Sequence, residues 1–185
     1  MKLHTDLSSV LLPSANVNSE NPLVHWQFAR PLGQRVLDLG CGIFGGASKE
    51  SDHSVKYFLD QGAIYVHGID TNVADLEFLR RRYAPEIATG TLQFQECRIG
   101  SAQDILSLVE VHKITAMKID IEGDEQVFLE IPHDEFRQIE QYWVEIHYEH
   151  LATEWYTKLQ SCGYAMDAVI HLVHAGPVVY FAHRC

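Results

Sequence analysis

The chain has 185 residues, 46% of them hydrophobic and 21% charged, with a formal net charge of −11. That length and apolar content fit one compact domain with a good-sized core. The acidic balance argues against nucleic acid as the main partner, because a phosphate backbone demands a basic face, and against an anionic membrane surface; a small neutral or cationic ligand is easier to accommodate.

Residues 1–34 contain the breakers Pro13, Pro22 and Pro31 and read as an N-terminal cap or extension, with residues 35–185 as the ligand-binding domain. Near the N-terminus "VLL" is three apolar residues, short of the ~7–15 of a secretory signal, and no run approaches the ~20 of a membrane span. Cys41, Cys97, Cys162 and Cys185 are scattered without a CxxC pair. That pattern suits the reduced thiols of a cytoplasmic protein better than a disulfide framework or a zinc knuckle.

From residue 35 strand and helix patterns alternate. "RVLDLG" (35–40) is a strand and 45–62 a helix ending at Gly62. "AIYVHGID" (63–70) is a strand and 72–84 a helix stopped by Pro85. "TLQFQECRI" (91–99), "TAMKID" (115–120) and "QYWVEIHY" (141–148) are strands, followed by helices at 102–112, 124–130 and 151–163. Two β-rich segments, 164–174 and 177–185, close the chain as a hairpin. Five βα units and a terminal hairpin predict an α/β fold: a mostly parallel sheet, helices on both faces, and one antiparallel strand. Ligands in such sheets bind at the carboxyl ends of the strands.

Gly40, Gly42 and Gly45 form GxGxxG directly after the first strand. Such glycines permit a sharp turn and close approach of a ligand to a helix N-terminus, although a tight turn without a ligand has the same signature. Asp38 stands two residues before Gly40. A carboxylate there would repel a pyrophosphate and suit a cofactor with an ammonium and a sulfonium, so "DLGCG", with Cys41 inside it, leans toward S-adenosyl-L-methionine over a dinucleotide. Asp70, at the tip of the second strand, can accept hydrogen bonds from ribose hydroxyls, with Thr71 beside it; the other reading makes Asp70, Thr71 or Asn72 a helix cap.

The fourth strand runs into "KIDIEGDEQVFLE". Alternation puts Ala116, Lys118, Asp120 and, if the strand persists, Glu122 on one face. Lys118 is deepest and is expected to pair with an acid. Asp124 and Glu125 need only the explanation that acids favour a helix's first turn. On the fifth strand Glu145 and His147 are two apart, so Asp120, Glu122, Glu145 and His147 are expected to converge on one rim. That is the signature of an acid–base site; a divalent-ion site and a structural salt-bridge network are the alternatives, and no metal is assigned because the spacing matches no specific metal motif.

Taken together, "VLDLGCGIFGGAS", "VHGID", "KIDIEGDEQVFLE" and "VEIHYEH" resemble the FkbM family of class I S-adenosylmethionine-dependent methyltransferases. The most specific element is K-x-D-x-E-G-x-E: Lys118, Asp120, Glu122, Gly123 and Glu125. The resemblance implies a Rossmann-like, seven-stranded methyltransferase fold. It implies methyl transfer, usually to an oxygen of a small metabolite or sugar, with no nucleic-acid or membrane partner. Asp120 or His147 would be the base, with Glu122 and Glu145 orienting it or gripping the acceptor. Asp38, Gly40, Cys41, Gly42, Gly45, Asp70 and Thr71 would hold the cofactor; the adenine pocket is expected after the third strand, around residues 99–104, with Ser101 and Asp104 at the ring edge, although Asp104 also reads as a helix start. A nicotinamide dehydrogenase and a non-catalytic subunit of the same fold are the competing readings.

Overall fold

The computed structural model describes residues 28–43, 54–171 and 178–185. Gly45, the start of the helix expected at 45–62, most of the N-terminal extension and the joint of the closing hairpin lie outside these residues. The strands are β1 (Arg35–Leu39), β2 (Tyr65–Asp70), β3 (Leu92–Glu96), β4 (Ala116–Ile119), β5 (Gln141–Ile146), β6 (Tyr164–His171) and β7 (Val178–Arg184). Between them run α1 (Ser54–Asp60), α2 (Val73–Arg82), α3 (Ala84–Ala88), α4 (Ala102–His112), a 3-10 helix (Glu125–Glu130), α5 (His133–Phe136) and α6 (Glu149–Ser161). Among the described residues the sheet has seven strands in the order β3-β2-β1-β4-β5-β7-β6; β1 to β5 pair in parallel, and β7 runs antiparallel to both β5 and β6.

Each strand alternates between two apolar layers. Leu37, Leu39, Met117, Ile119, Tyr142 and Val144 join the core under α4 and α6, and Val36, Val66, Ala116, Trp143 and Phe181 join the core under α1 and α2. Because β1 and β4 are parallel and in register, Asp38 lies directly opposite Lys118, and Lys118 opposite Trp143. The charged residue pair is therefore built into the second layer by strand register.

Three local expectations need correction. The helix expected to stop before Pro85 ends at Arg82, and a separate short helix then starts with proline in its first turn, where the missing N–H costs nothing. The helix after β4 is 3-10. β4 itself ends at Ile119, and Glu122 sits in a left-handed turn (φ 54°) before Gly123 (φ 109°). Glu122 thus reaches the rim by a turn, not by strand alternation.

Candidate functional site at the carboxyl ends of the central strands

The strand order reverses between β1 and β4, and the chains leaving them diverge. A cavity of about 720 Å³ opens there, lined by Gly40, Gly42, Asp70, Asn72, Asp75 and Asp120 among others. Its size suits a cofactor-sized ligand. Gly40 has φ 75°, and a Cβ on it would lie 1.7 Å from the Asp120 carbonyl oxygen, so the two strand ends touch backbone to backbone. A Cβ on Gly42 would meet Asp70 Oδ2 at 2.8 Å. Both glycines are required by close approach, the first also by its backbone conformation.

Asp70 sits at the cavity wall. Its Oδ2 accepts from the Gly42 N–H at 2.7 Å, and its Oδ1 from the Asn72 N–H at 2.7 Å. It is not the cap of α2; Asn72 is, accepting from the N–H groups of Ala74 and Asp75. Asp75, which the sequence reading passed over, holds the Ile43 N–H at 3.2 Å. Across the mouth Arg98 donates two hydrogen bonds to Asp124, at 2.9 and 3.1 Å, tying the loop after β3 to the turn after β4. Asp124 therefore has a partner beyond its helix start.

Several expected ligand contacts lie elsewhere. Asp38 is wholly buried and does not line the cavity; it accepts from Ser54 Oγ at 2.5 Å and lies 3.3 Å from Lys118 Nζ. Burial pushes its carboxyl above the ordinary value, against the pull of Lys118. The Cys41 side chain is also buried, which drives its thiol pKa well up and makes it inert. Ser101 caps α4 by accepting from the Asp104 N–H, and Asp104 accepts from Ser101 Oγ and the Gly100 N–H. Those two are satisfied by each other, and the cavity wall beyond β3 is Cys97, Arg98 and Ile99 instead. Thr71 lines the cavity.

The rim cluster is assembled by β4, β5 and the turns that follow them. Lys118 is 2% exposed, donates to the Gly40 carbonyl oxygen and lies 3.3 Å from Asp120 Oδ2. Burial works against its ammonium, but Asp120 and Asp38 outweigh that and hold it charged. His147 Nε2 lies 3.5 Å from Glu122, 3.7 Å from Asp120 and 3.8 Å from Glu145. Its Nδ1 lies 2.7 Å from Glu125 Oε1, which also accepts from the Gly123 N–H at 3.0 Å. The bond to Glu125 raises the His147 pKa to about 9 against the cost of burial. Burial, then the neighbouring Asp120, raises Glu145 to about 7. Glu125 itself is wholly buried; the helix-start explanation for it is corrected.

The comparisons bear on the fold. No protein-family model matches the chain, and no curated protein matches its sequence. Solved structures do. Sp1610 of Streptococcus pneumoniae, assigned as a tRNA methyltransferase, superimposes with a TM-score of 0.58 at 9% identity, over 88% of this chain and 68% of its own. The chain shares its fold with methyltransferases. A structure of Sp1610 holding S-adenosyl-L-methionine aligns with a TM-score of 0.55 at 13% identity, over 88% of this chain and 70% of that one. An rRNA methylase of Streptococcus thermophilus gives 0.54 at 13% identity, over 88% and 94% of the two chains. The reversed β7, inserted between β5 and β6, also departs from the 3-2-1-4-5-6 order of the dinucleotide-binding fold.

Proposed function

We propose that the protein is an S-adenosyl-L-methionine-dependent methyltransferase acting on a small acceptor, with oxygen as the methylated atom. The observation that carries the reading is the cavity over Gly40 and Gly42, with the carboxylate of Asp70 on one wall and the Asp120–Glu122 turn on another. Its residues fit the cofactor. The bare glycine surface allows a ligand to lie against the backbone, and each Asp70 oxygen retains lone-pair capacity for a ribose diol after its one backbone bond. Arg98 and Ile99 would meet the adenine end, in place of Ser101 and Asp104. The cofactor supplies an activated methyl group on a sulfonium.

The protein's part is alignment and proton handling. Gly40 and Gly42 set how close the ligand comes, and Asp70 sets its rotation. Asp120, Glu122, Glu145 and His147 form the acceptor end. A hydroxyl gripped there can pass its proton to a carboxylate, and a positioned base of this kind contributes typically ~10²–10⁴-fold. The acids on the rim disfavour a phosphate-rich acceptor and favour a neutral or cationic one, in line with the net charge of −11. The K-x-D-x-E-G-x-E element supports placing the chain near the FkbM methyltransferases. The test is transfer of radiolabelled methyl to a panel of hydroxylated small molecules and to RNA. Labelling of a small hydroxyl compound supports the reading; labelling of RNA alone contradicts it.

A further inference from the structure

Three acids surround His147 Nε2 and none of them bonds it: the separations of 3.5, 3.7 and 3.8 Å exceed hydrogen-bond length. The other ring nitrogen behaves oppositely, fixed at 2.7 Å by the wholly buried Glu125. This is the arrangement of a metal-ligand imidazole, with a carboxylate behind one nitrogen setting the ring's direction and the other nitrogen presented to oxygens. The separations fit one coordination shell. With metal–oxygen bonds of ~2.1 Å, adjacent ligand atoms of an octahedron lie ~3 Å apart and opposite ones ~4.2 Å. The ligand atoms of Asp120, Glu122 and His147 lie within 4.8 Å of one another, so side-chain shifts of a few tenths of an ångström complete the shell.

A second observation concerns Asp120, which is 7% exposed. Its Oδ2 is taken by Lys118, while its Oδ1 faces His147 Nε2 at 3.7 Å, beyond hydrogen-bond reach. Glu125 Oε2 is likewise buried with no hydrogen-bond partner. The ammonium of Lys118, which meets Asp120 Oδ2, is shared with Asp38.

We propose that Asp120 Oδ1, Glu122 Oε2 and His147 Nε2 bind one divalent cation of the manganese or magnesium type at the acceptor end of the cavity. Two carboxylates with one imidazole suit such an ion, and the cavity side is left for water or an acceptor oxygen. The imidazole would ligate through Nε2, with Nδ1 kept on Glu125. The cation's role in catalysis, unlike the binding itself, rests on the methyltransferase reading. A cation held there would make a bound acceptor hydroxyl more acidic, and Glu145, 3.8 Å from His147 Nε2, would stand beside it to take the proton released from the O–H bond.

The experiment is titration of chelator-stripped protein with MnCl₂, following free Mn²⁺ by electron paramagnetic resonance. One saturable site per chain is expected, weakened at least ~10-fold in Glu122→Gln and in His147→Ala. The Glu122 side chain is 80% exposed, so its variant does not threaten the fold. Absence of a saturable site, or unchanged affinity in both variants, overturns the proposal. A melting curve with S-adenosyl-L-methionine in parallel separates the two readings: a cofactor shift without Mn²⁺ binding removes only the cation site, and Mn²⁺ binding without a cofactor shift removes only the methyltransferase.

Discussion

His147 Nδ1 and Glu125 Oε1 meet at 2.7 Å, joining the residue after β5 to a carboxylate with no exposed surface. The same carboxylate holds the Gly123 N–H, and Trp155 Nε1 donates to the Glu125 carbonyl oxygen at 3.2 Å. The turn after β4, the end of β5 and α6 are thus fixed around one residue, the first two through its carboxylate and α6 through its backbone carbonyl. Glu125→Ala leaves the Gly123 N–H and the His147 ring without their acceptor. A loss of about 2–4 kcal/mol is expected, read from urea denaturation. A loss under ~0.5 kcal/mol would show that this bond does not organise the rim.

Lys118 lies 3.3 Å from two buried acids, Asp38 with no exposed surface and Asp120 at 7%. Lys118→Met leaves Asp38 and Asp120 facing each other across β1 and β4 without a counter-charge. The expected cost is about 3–5 kcal/mol, and Asp38→Asn added to Lys118→Met recovers part of it. Denaturant midpoints of the single and double variants check both statements.

Gly40 and Gly42 predict different failures. Gly40→Ala sets a methyl group against the Asp120 carbonyl oxygen, at a backbone angle that side chains resist, and costs about 3 kcal/mol of stability. Gly42→Ala meets only side-chain ends, the carboxylates of Asp70 at 2.8 Å and Asp75 at 3.2 Å. It is expected to fold nearly as well and to lose ligand affinity ~10-fold or more by displacing the Asp70 carboxylate, measured by calorimetric titration.

His67 sets the acid limit of stability. It is wholly buried, and its ring centroid lies 4.3 Å from that of His112. Burial first, then His112, lowers its pKa from 6.5 to about 4. The unfolded chain therefore binds a proton that the folded chain refuses between those values. Stability is unaffected by this group above pH ~6.5 and falls as pH drops through the window, by about 3 kcal/mol in all. The difference in unfolding free energy between the parent and His67→Phe, followed from pH 7 to 4, should show that slope; parallel curves would contradict it.

Element order and the closing hairpin were legible because they follow from periodicity and glycine placement, which are local; Asp120, Glu145 and His147 converge because β4 and β5 pair in parallel, and Glu122 joins them by the left-handed turn before Gly123 and not by alternation. The partner of Asp38 was not legible, because it depends on the register of β1 against β4, and register is a property of the sheet. Glu125 was misread for a related reason. Acids in a helix's first turn are normally solvated, and only the tight 3-10 turn after Gly123 carries this one inward to His147. Ser101 and Asp104 looked like ligand contacts but satisfy one another as a cap, while Asn72 was marked only as a candidate cap, and Arg98 and Asp75, on a loop and in a helix's first turn, carried no pattern to mark them.

The central claim is that the cavity over Gly40 and Gly42 takes S-adenosyl-L-methionine, oriented by Asp70. It is tested most directly by thermal melts of the parent and of Asp70→Ala with that cofactor, its demethylated product and NAD. At 100-fold the dissociation constant, a bound ligand stabilises by about 2.7 kcal/mol. The account predicts a shift for the parent with the first two ligands, none with NAD, and a shift reduced or lost in Asp70→Ala. No shift with either cofactor form, or a shift with NAD alone, would contradict it.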